Sequence, residues 1–81
     1  MIFTVIHEDS PHFTAEASEI IGVAKNYIGG YKYSAIILLK NGGQYEFQFP
    51  MEDCQIDKIR QNWLLARTKI NFPSPDVVIT V

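Results

Sequence analysis

The sequence predicts an α+β domain: an antiparallel sheet with a central hairpin over residues 34–49, packed by a helix over residues 53–70. Three observations carry this. The runs "SAIILLK" and "QYEFQF" flank "NGG", and Asn and Gly tolerate the positive φ that a tight hairpin turn needs. Ile56, Ile59, Trp63, Ala66 and Ile70 recur at spacings of three and four, the mark of one helix face. Apolar β-branched runs stand near both ends of the chain, "IFTVI" at residues 2–6 and "DVVITV" at 76–81.

The elements follow in order. "IFTVI" reads as a strand, which "EDSPH" then breaks. The segment 13–28, "FTAEASEIIGVAKNYI", carries two signals. Phe13, Ala17, Ile20, Ala24 and Tyr27 fit a helical stripe, with Gly29 or Gly30 as the C-cap. Against that, "EIIGV" favours a strand, and Gly22 costs about 1 kcal/mol inside a helix. The helical reading is slightly favoured and gives a ferredoxin-like βαββαβ order. The strand reading gives a β-meander plus a C-terminal helix. In "NYIGGYKYS", Ile28, Gly29 and Gly30 form the turn, and Tyr31 and Tyr33 fall in phase with Ala35, Ile37 and Leu39 on the next strand.

In the second hairpin strand Tyr45, Phe47 and Phe49 face one way and Gln44, Glu46 and Gln48 the other, until Pro50 ends it. Asp53 suits the cap of the following helix, Glu52 and Asp57 suit the positive end of its dipole, and Arg67 and Lys69 the other end. "NFPSP" stops this helix, and a final strand follows.

Eighty-one residues make one domain, and such a chain buries only about 60–65% of the surface that its unfolded form exposes. Cys54 is the sole cysteine, so no internal disulfide helps, and a lone thiol suits a reducing compartment. The start "MIFTVIHED" has no basic region before its apolar run and acids follow directly, unlike a secretory signal, and the longest purely apolar run is "AIILL". A cytoplasmic protein is expected, with no membrane contact.

The net charge of −2 argues weakly against nucleic-acid binding. The charges are segregated, however. Residues 25–40 hold three lysines and no acid, and Lys58, Arg60, Arg67 and Lys69 follow a block of four acids. Lys25, Tyr27, Tyr31, Lys32 and Tyr33 could stack bases or anchor a protein, although tyrosines at a core edge are commoner. His7, Glu8, Asp9 and His12 match no standard metal spacing, so no metal and no cofactor are expected. No nucleophile elbow, phosphate loop or H-E-x-x-H occurs, and Cys54 among acids is a poor thiolate, so no enzyme is expected.

Two features exceed what a monomer needs. The strand "SAIILLK" is apolar on both faces: Ile37 and Leu39 on one, Ile36 and Leu38 on the other, with the roles exchanged if the register shifts by one. Leu65 lies about 140° from the centre of the helix stripe, among Lys58, Gln61 and Lys69. Ile36, Leu38, Leu65, Lys58, Lys69, Tyr31 and Tyr33 are therefore the candidate interaction residues. The expected function is a small non-enzymatic protein-interaction module: a homodimer, an adaptor or an inhibitor of a larger protein. The alternative is a nucleic-acid-binding or nucleic-acid-mimicking regulator.

Overall fold

The computed structural model describes residues 2–7, 10–68 and 76–81. Among these residues six strands form two three-stranded sheets, and one α-helix packs with both. The first sheet holds β1 (Ile2–His7) between β2 (Ser10–Glu16) and β6 (Val77–Thr80). β2 runs antiparallel to β1 and β6 runs parallel to it. The second sheet is a meander of β3 (Ile20–Gly29), β4 (Lys32–Leu39) and β5 (Gln44–Glu46). Helix α1 spans Asp53–Thr68.

The α+β class is as the sequence predicts, but the ferredoxin-like order is not what the chain adopts. Residues 13–28 form the end of β2, a 3-10 turn at Ala17–Glu19 and most of β3, so the described residues contain one α-helix. The β-branched pair Ile20–Ile21 and the cost of Gly22 in a helix decide this segment. The apparent helical stripe has a different origin. Phe13, Ala17 and Ile20 are all buried, yet they belong to three successive elements. Nor is there one central sheet, because the N-terminal strands pair with the C-terminal one apart from the meander. A strand also begins inside "SPH", on an edge position where Pro11 removes no central ladder bond.

Both sheets and the helix share one core. β1, β2 and β6 contribute Phe3, Val5, Phe13 and Ile79. The meander contributes Ile20, Val23, Ala35 and Ile37, and the helix contributes Ile56, Ile59, Trp63 and Ala66. The predicted helix face is thus the buried one; Lys69 and Ile70, which the sequence places at its end, lie outside the described residues. The helix start differs in detail. Asp53 does not cap it; Gln55 Oε1 accepts a hydrogen bond from the Glu52 backbone N–H at 2.8 Å, the reach-back half of a capping box. The Asp53 carboxylate instead binds Lys25 of β3.

The 34–49 hairpin forms around "NGG", with Ile36 opposite Glu46, Ile37 opposite Tyr45 and Leu38 opposite Gln44. Its second strand is shorter than the alternation suggests. Phe47 still donates to the Ala35 carbonyl at 3.0 Å, then residues 48–50 leave the ladder. Met51 rejoins it, exchanging two 2.8 Å bonds with Tyr33. This excursion carries the Phe49 ring onto His7, with centroids 3.8 Å apart.

Candidate functional site

The register of the meander settles which side of β4 is core. Ala35 and Ile37 are fully buried, while Ile36 and Leu38 point to the opposite face and are half-buried there. Gln44 and Glu46 of β5 share that outer face, as the pairing requires. On β3 its members are the partners of Leu38 and Ile36, namely Gly22 and Ala24. Leu38 leans across this strand: its Cδ1 lies 3.6 Å from where a Cβ at Gly22 would stand. Helix and first sheet pack with the Ala35–Ile37 side.

Two β-bulges extend the outer face. One lies between Ile20 and Gly22, the other between Tyr27 and Gly29. Each adds a residue without a cross-strand partner, and those residues, Ile21 and Ile28, are 56% and 57% exposed. Ile28 lines a shallow groove of about 200 Å³ with Ser34, Glu46, Gln48, Phe49 and Pro50. The Ser34 Oγ there is buried and has no hydrogen-bond partner among the described residues. The outer face therefore runs from Ile21 through Leu38 and Ile36 to Ile28. Sequence reading missed Ile21 and Ile28; the signal available for Ile21 was a β-branched pair followed by glycine inside a strand pattern.

The β3–β4 hairpin ends in a two-residue turn, Gly30–Tyr31, with φ of 55° and 66°. β3 continues to Gly29, so the turn sits later than the sequence suggests. Tyr31 consequently does not stand on the strand face with Tyr33; it occupies the turn and is 89% exposed. Tyr33 packs against the core, meets Tyr27 edge-on at 5.6 Å, and carries Lys25 Nζ 4.8 Å above its ring.

Five of the basic side chains make local contacts. Lys25 binds Asp53, and Lys32 Nζ lies 3.4 Å from Glu52. The hydrogen bond to Asp53 raises the Lys25 pKa above the ordinary lysine value; desolvation opposes it, and the charges of Asp53, Tyr33 and Asp57 reinforce it. Lys58 Nζ donates to the Thr80 carbonyl at 2.8 Å, tying the helix to β6. Arg60 donates to the Val23 carbonyl on β3 at 3.0 Å and pairs with Asp57 at 3.2 Å. Arg67 lies over the Trp63 ring at 5.1 Å. The tyrosine–lysine stretch is thus an aromatic cluster whose cations face acids at the helix start.

Leu65 is 56% exposed on the helix, far from the outer sheet face, so the structure does not bring it together with Ile36 and Leu38. Cys54 is exposed, with Sγ 3.9 Å from Glu52. Glu8 and Asp9 lie outside the described residues, and His7 stacks on Phe49. Among the described residues no three His, Cys, Asp or Glu are grouped to hold a metal, and no helix is long and apolar enough to cross a membrane. Compared with known proteins, the chain matches no family model, no curated protein and no solved structure.

Proposed function

We propose that the chain is a small non-enzymatic protein-interaction module, a homodimer or an adaptor or inhibitor of a larger protein, that works through the outer face of the β3–β4–β5 sheet. One observation carries this reading: Ile36 and Leu38 point away from the core that Ala35 and Ile37 fill, onto a face bordered by small residues. A strand apolar on both sides is ordinarily covered on both. The charge pattern adds support, since the meander's lysines near the turn are already matched by acids and offer little to a phosphate backbone. A cytoplasmic setting suits the single exposed thiol.

Two double variants test the reading. Ile36→Thr with Leu38→Thr keeps strand propensity and removes apolar area from the outer face; Ile37→Thr with Leu39→Thr does so in the core. The core pair is expected to unfold the domain. The outer pair is expected to melt cooperatively while losing proteins that the wild type captures from a lysate of its own cells. Loss of folding in both, or an unchanged set of captured proteins with the outer pair, refutes the reading. Salt-sensitive binding of DNA or RNA that survives the outer-face substitutions would favour the nucleic-acid alternative instead.

A further inference from the structure

The β4–β5 turn carries a covalent reactivity that the rest of the chain lacks. Of the four asparagines, Asn26, Asn62 and Asn71 each precede an aromatic residue, Tyr27, Trp63 and Phe72, whereas Asn41 precedes Gly42. An asparagine amide carbon is open to attack by the backbone nitrogen of the next residue, which closes a five-membered ring. A side chain on that next residue crowds the attack. Gly42 has none, and the place its Cβ would take has no atom within 4 Å beyond its chain neighbours.

The turn has the form of a three-residue hairpin loop. Gly42 N–H donates to the Leu39 carbonyl at 3.1 Å, Leu39 N–H donates to the Gly43 carbonyl at 3.0 Å, and Gly42 takes a left-handed φ of 86°. Asn41, Gly42 and Gly43 are all exposed, so water and hydroxide reach the backbone. The Asn41 side chain folds back on the turn, where its Oδ1 accepts a hydrogen bond from Gly43 N–H at 2.7 Å. A Cβ at Gly43 would stand 2.8 Å from that oxygen, so any larger residue there pushes the amide away. The hydrogen bond draws electron density from Cγ and stabilises the negative oxygen that forms when a nucleophile adds, as an oxyanion-hole donor does. It also holds the amide beside the peptide that attacks it. The Gly42–Leu39 bond opposes the attack, but at an exposed turn water replaces it with little net loss. Asn26 and Asn62 lack these conditions. Asn26 is held in the β3 ladder opposite Ser34, and Asn62 lies inside α1 with its Nδ2 donating to the Lys58 carbonyl at 2.8 Å.

We propose that Asn41 is a self-modifying site, which loses its amide nitrogen in the folded chain with assistance from the Gly43 N–H. The Gly42 nitrogen gives its proton to solvent base and bonds to Asn41 Cγ. The Cγ–Nδ2 bond then breaks, the nitrogen leaves as ammonia, and a succinimide remains. Water opens the ring at either carbonyl. Cleavage at Cγ gives aspartate on the ordinary main chain; cleavage at the main-chain carbonyl carbon gives isoaspartate, with the main chain rerouted through Cγ. One water enters and one ammonia leaves, so the step needs no oxidant or reductant. Either product adds a negative charge to a chain of net charge −2. Isoaspartate also inserts a methylene into the turn that sets Leu38 opposite Gln44 and Ile36 opposite Glu46, and so loosens a strand of three residues. The turn borders the outer sheet face, but the chemistry holds whether or not that face meets a partner.

Incubation of the purified chain at mildly alkaline pH, followed by digestion and peptide mapping by mass spectrometry, tests this. Asn41 is expected to convert at least about tenfold faster than Asn26 and Asn62, giving both aspartate and isoaspartate. Methyl transfer from S-adenosylmethionine by an isoaspartyl carboxyl methyltransferase reads the second product independently. Gly43→Ala keeps the Asn41–Gly42 pair but displaces the amide from its hydrogen bond, so conversion should slow at least about threefold, less than in a closed site because water surrounds the donor. Should that variant fail to fold, an amide-to-ester replacement at Gly43 in a semisynthetic chain removes the N–H without added bulk and should slow conversion likewise. Chains that have reacted, separated by their extra charge, should melt below Asn41→Asp, which carries the charge on an unaltered main chain. Conversion at Asn41 no faster than at Asn26 and Asn62, or unchanged when the Gly43 hydrogen bond is removed from a folded chain, overturns the proposal. Equal melting of the isoaspartate form and Asn41→Asp overturns its structural consequence.

Discussion

Replacing Tyr31 with glycine is expected to stabilise the domain. Tyr31 sits at φ 66° in the hairpin turn, a conformation that costs a residue with a Cβ about 1–2 kcal/mol. Its ring is 89% exposed, so truncation forfeits almost no burial. Glycine releases the strain but loses more chain entropy on folding, an offset of about 0.5–1 kcal/mol. The net gain is about 0.5–1 kcal/mol, which for a domain of this size raises Tm by about 2–8 °C. Tyr31→Ala is the control: it removes the ring and keeps the strain, so its Tm should match the wild type within about 2 °C. Thermal unfolding followed by circular dichroism on the three proteins decides. A Tyr31→Gly protein that melts below the wild type would refute the reasoning, because the ring must then make a contact worth more than the strain. If it melts higher, the tip carries a strained aromatic that folding does not need.

Three further perturbations have signs set by geometry. Gly22→Ala should leave Tm unchanged or raise it by up to about 1 kcal/mol equivalent, since the new Cβ meets Leu38 at an ordinary 3.6 Å, whereas Gly29→Ala at φ 111° should cost about 1 kcal/mol despite open space around it; melts of the two proteins check the contrast. The buried Trp63 Nε1 has no hydrogen-bond partner among the described residues, so Trp63→Phe should cost under about 1.5 kcal/mol in urea unfolding while Trp63→Ala costs about 3–5. Because Lys25 is held protonated by Asp53, its pairing stabilises the fold below the unfolded lysine pKa of about 10.4 and is lost as pH rises through the higher folded value. Between about pH 9 and about pH 11 the wild-type Tm should therefore fall more than that of Lys25→Met, and equal falls would dismiss the pair.

The features legible in the sequence were those set by local chemistry. "NGG" fixes a turn by backbone conformation alone, and Ile56, Ile59, Trp63 and Ala66 mark the buried side of the helix because one period runs uninterrupted through them. Residues 13–28 were misread because their period is interrupted. Bulges next to Ile21 and Ile28 break the two-residue alternation of β3, and a 3-10 turn places Ala17 between buried Phe13 and Ile20. The spacings of four and three that result imitate a helix. Ala24, half-buried on the outer face, and exposed Tyr27 are where the imitation fails. The outer placement of Ile36 and Leu38 was legible up to a one-residue shift, which pairing with β5 resolves. The roles of Arg60 and Lys58 were not legible, since each acts on a backbone carbonyl brought near only by folding.

The pairing of β6 with β1 bears on how the fold is reached. Val77, Val78, Ile79 and Thr80 align in parallel with Phe3, Val5 and their neighbours, joining segments more than seventy residues apart in the chain. The hairpin contacts within 20–46 are local and close quickly, whereas this pairing must bear the entropy of closing a loop nearly as long as the domain. It is therefore expected to form late, after the meander. Until Ile79 arrives, Phe3 and Val5 lack one flank of their core, and the Ile2 amide lacks the Asp76 carboxylate that accepts its hydrogen bond at 3.0 Å. During synthesis the first strand must wait for more than seventy further residues to emerge, so its exposed edge depends strongly on folding speed.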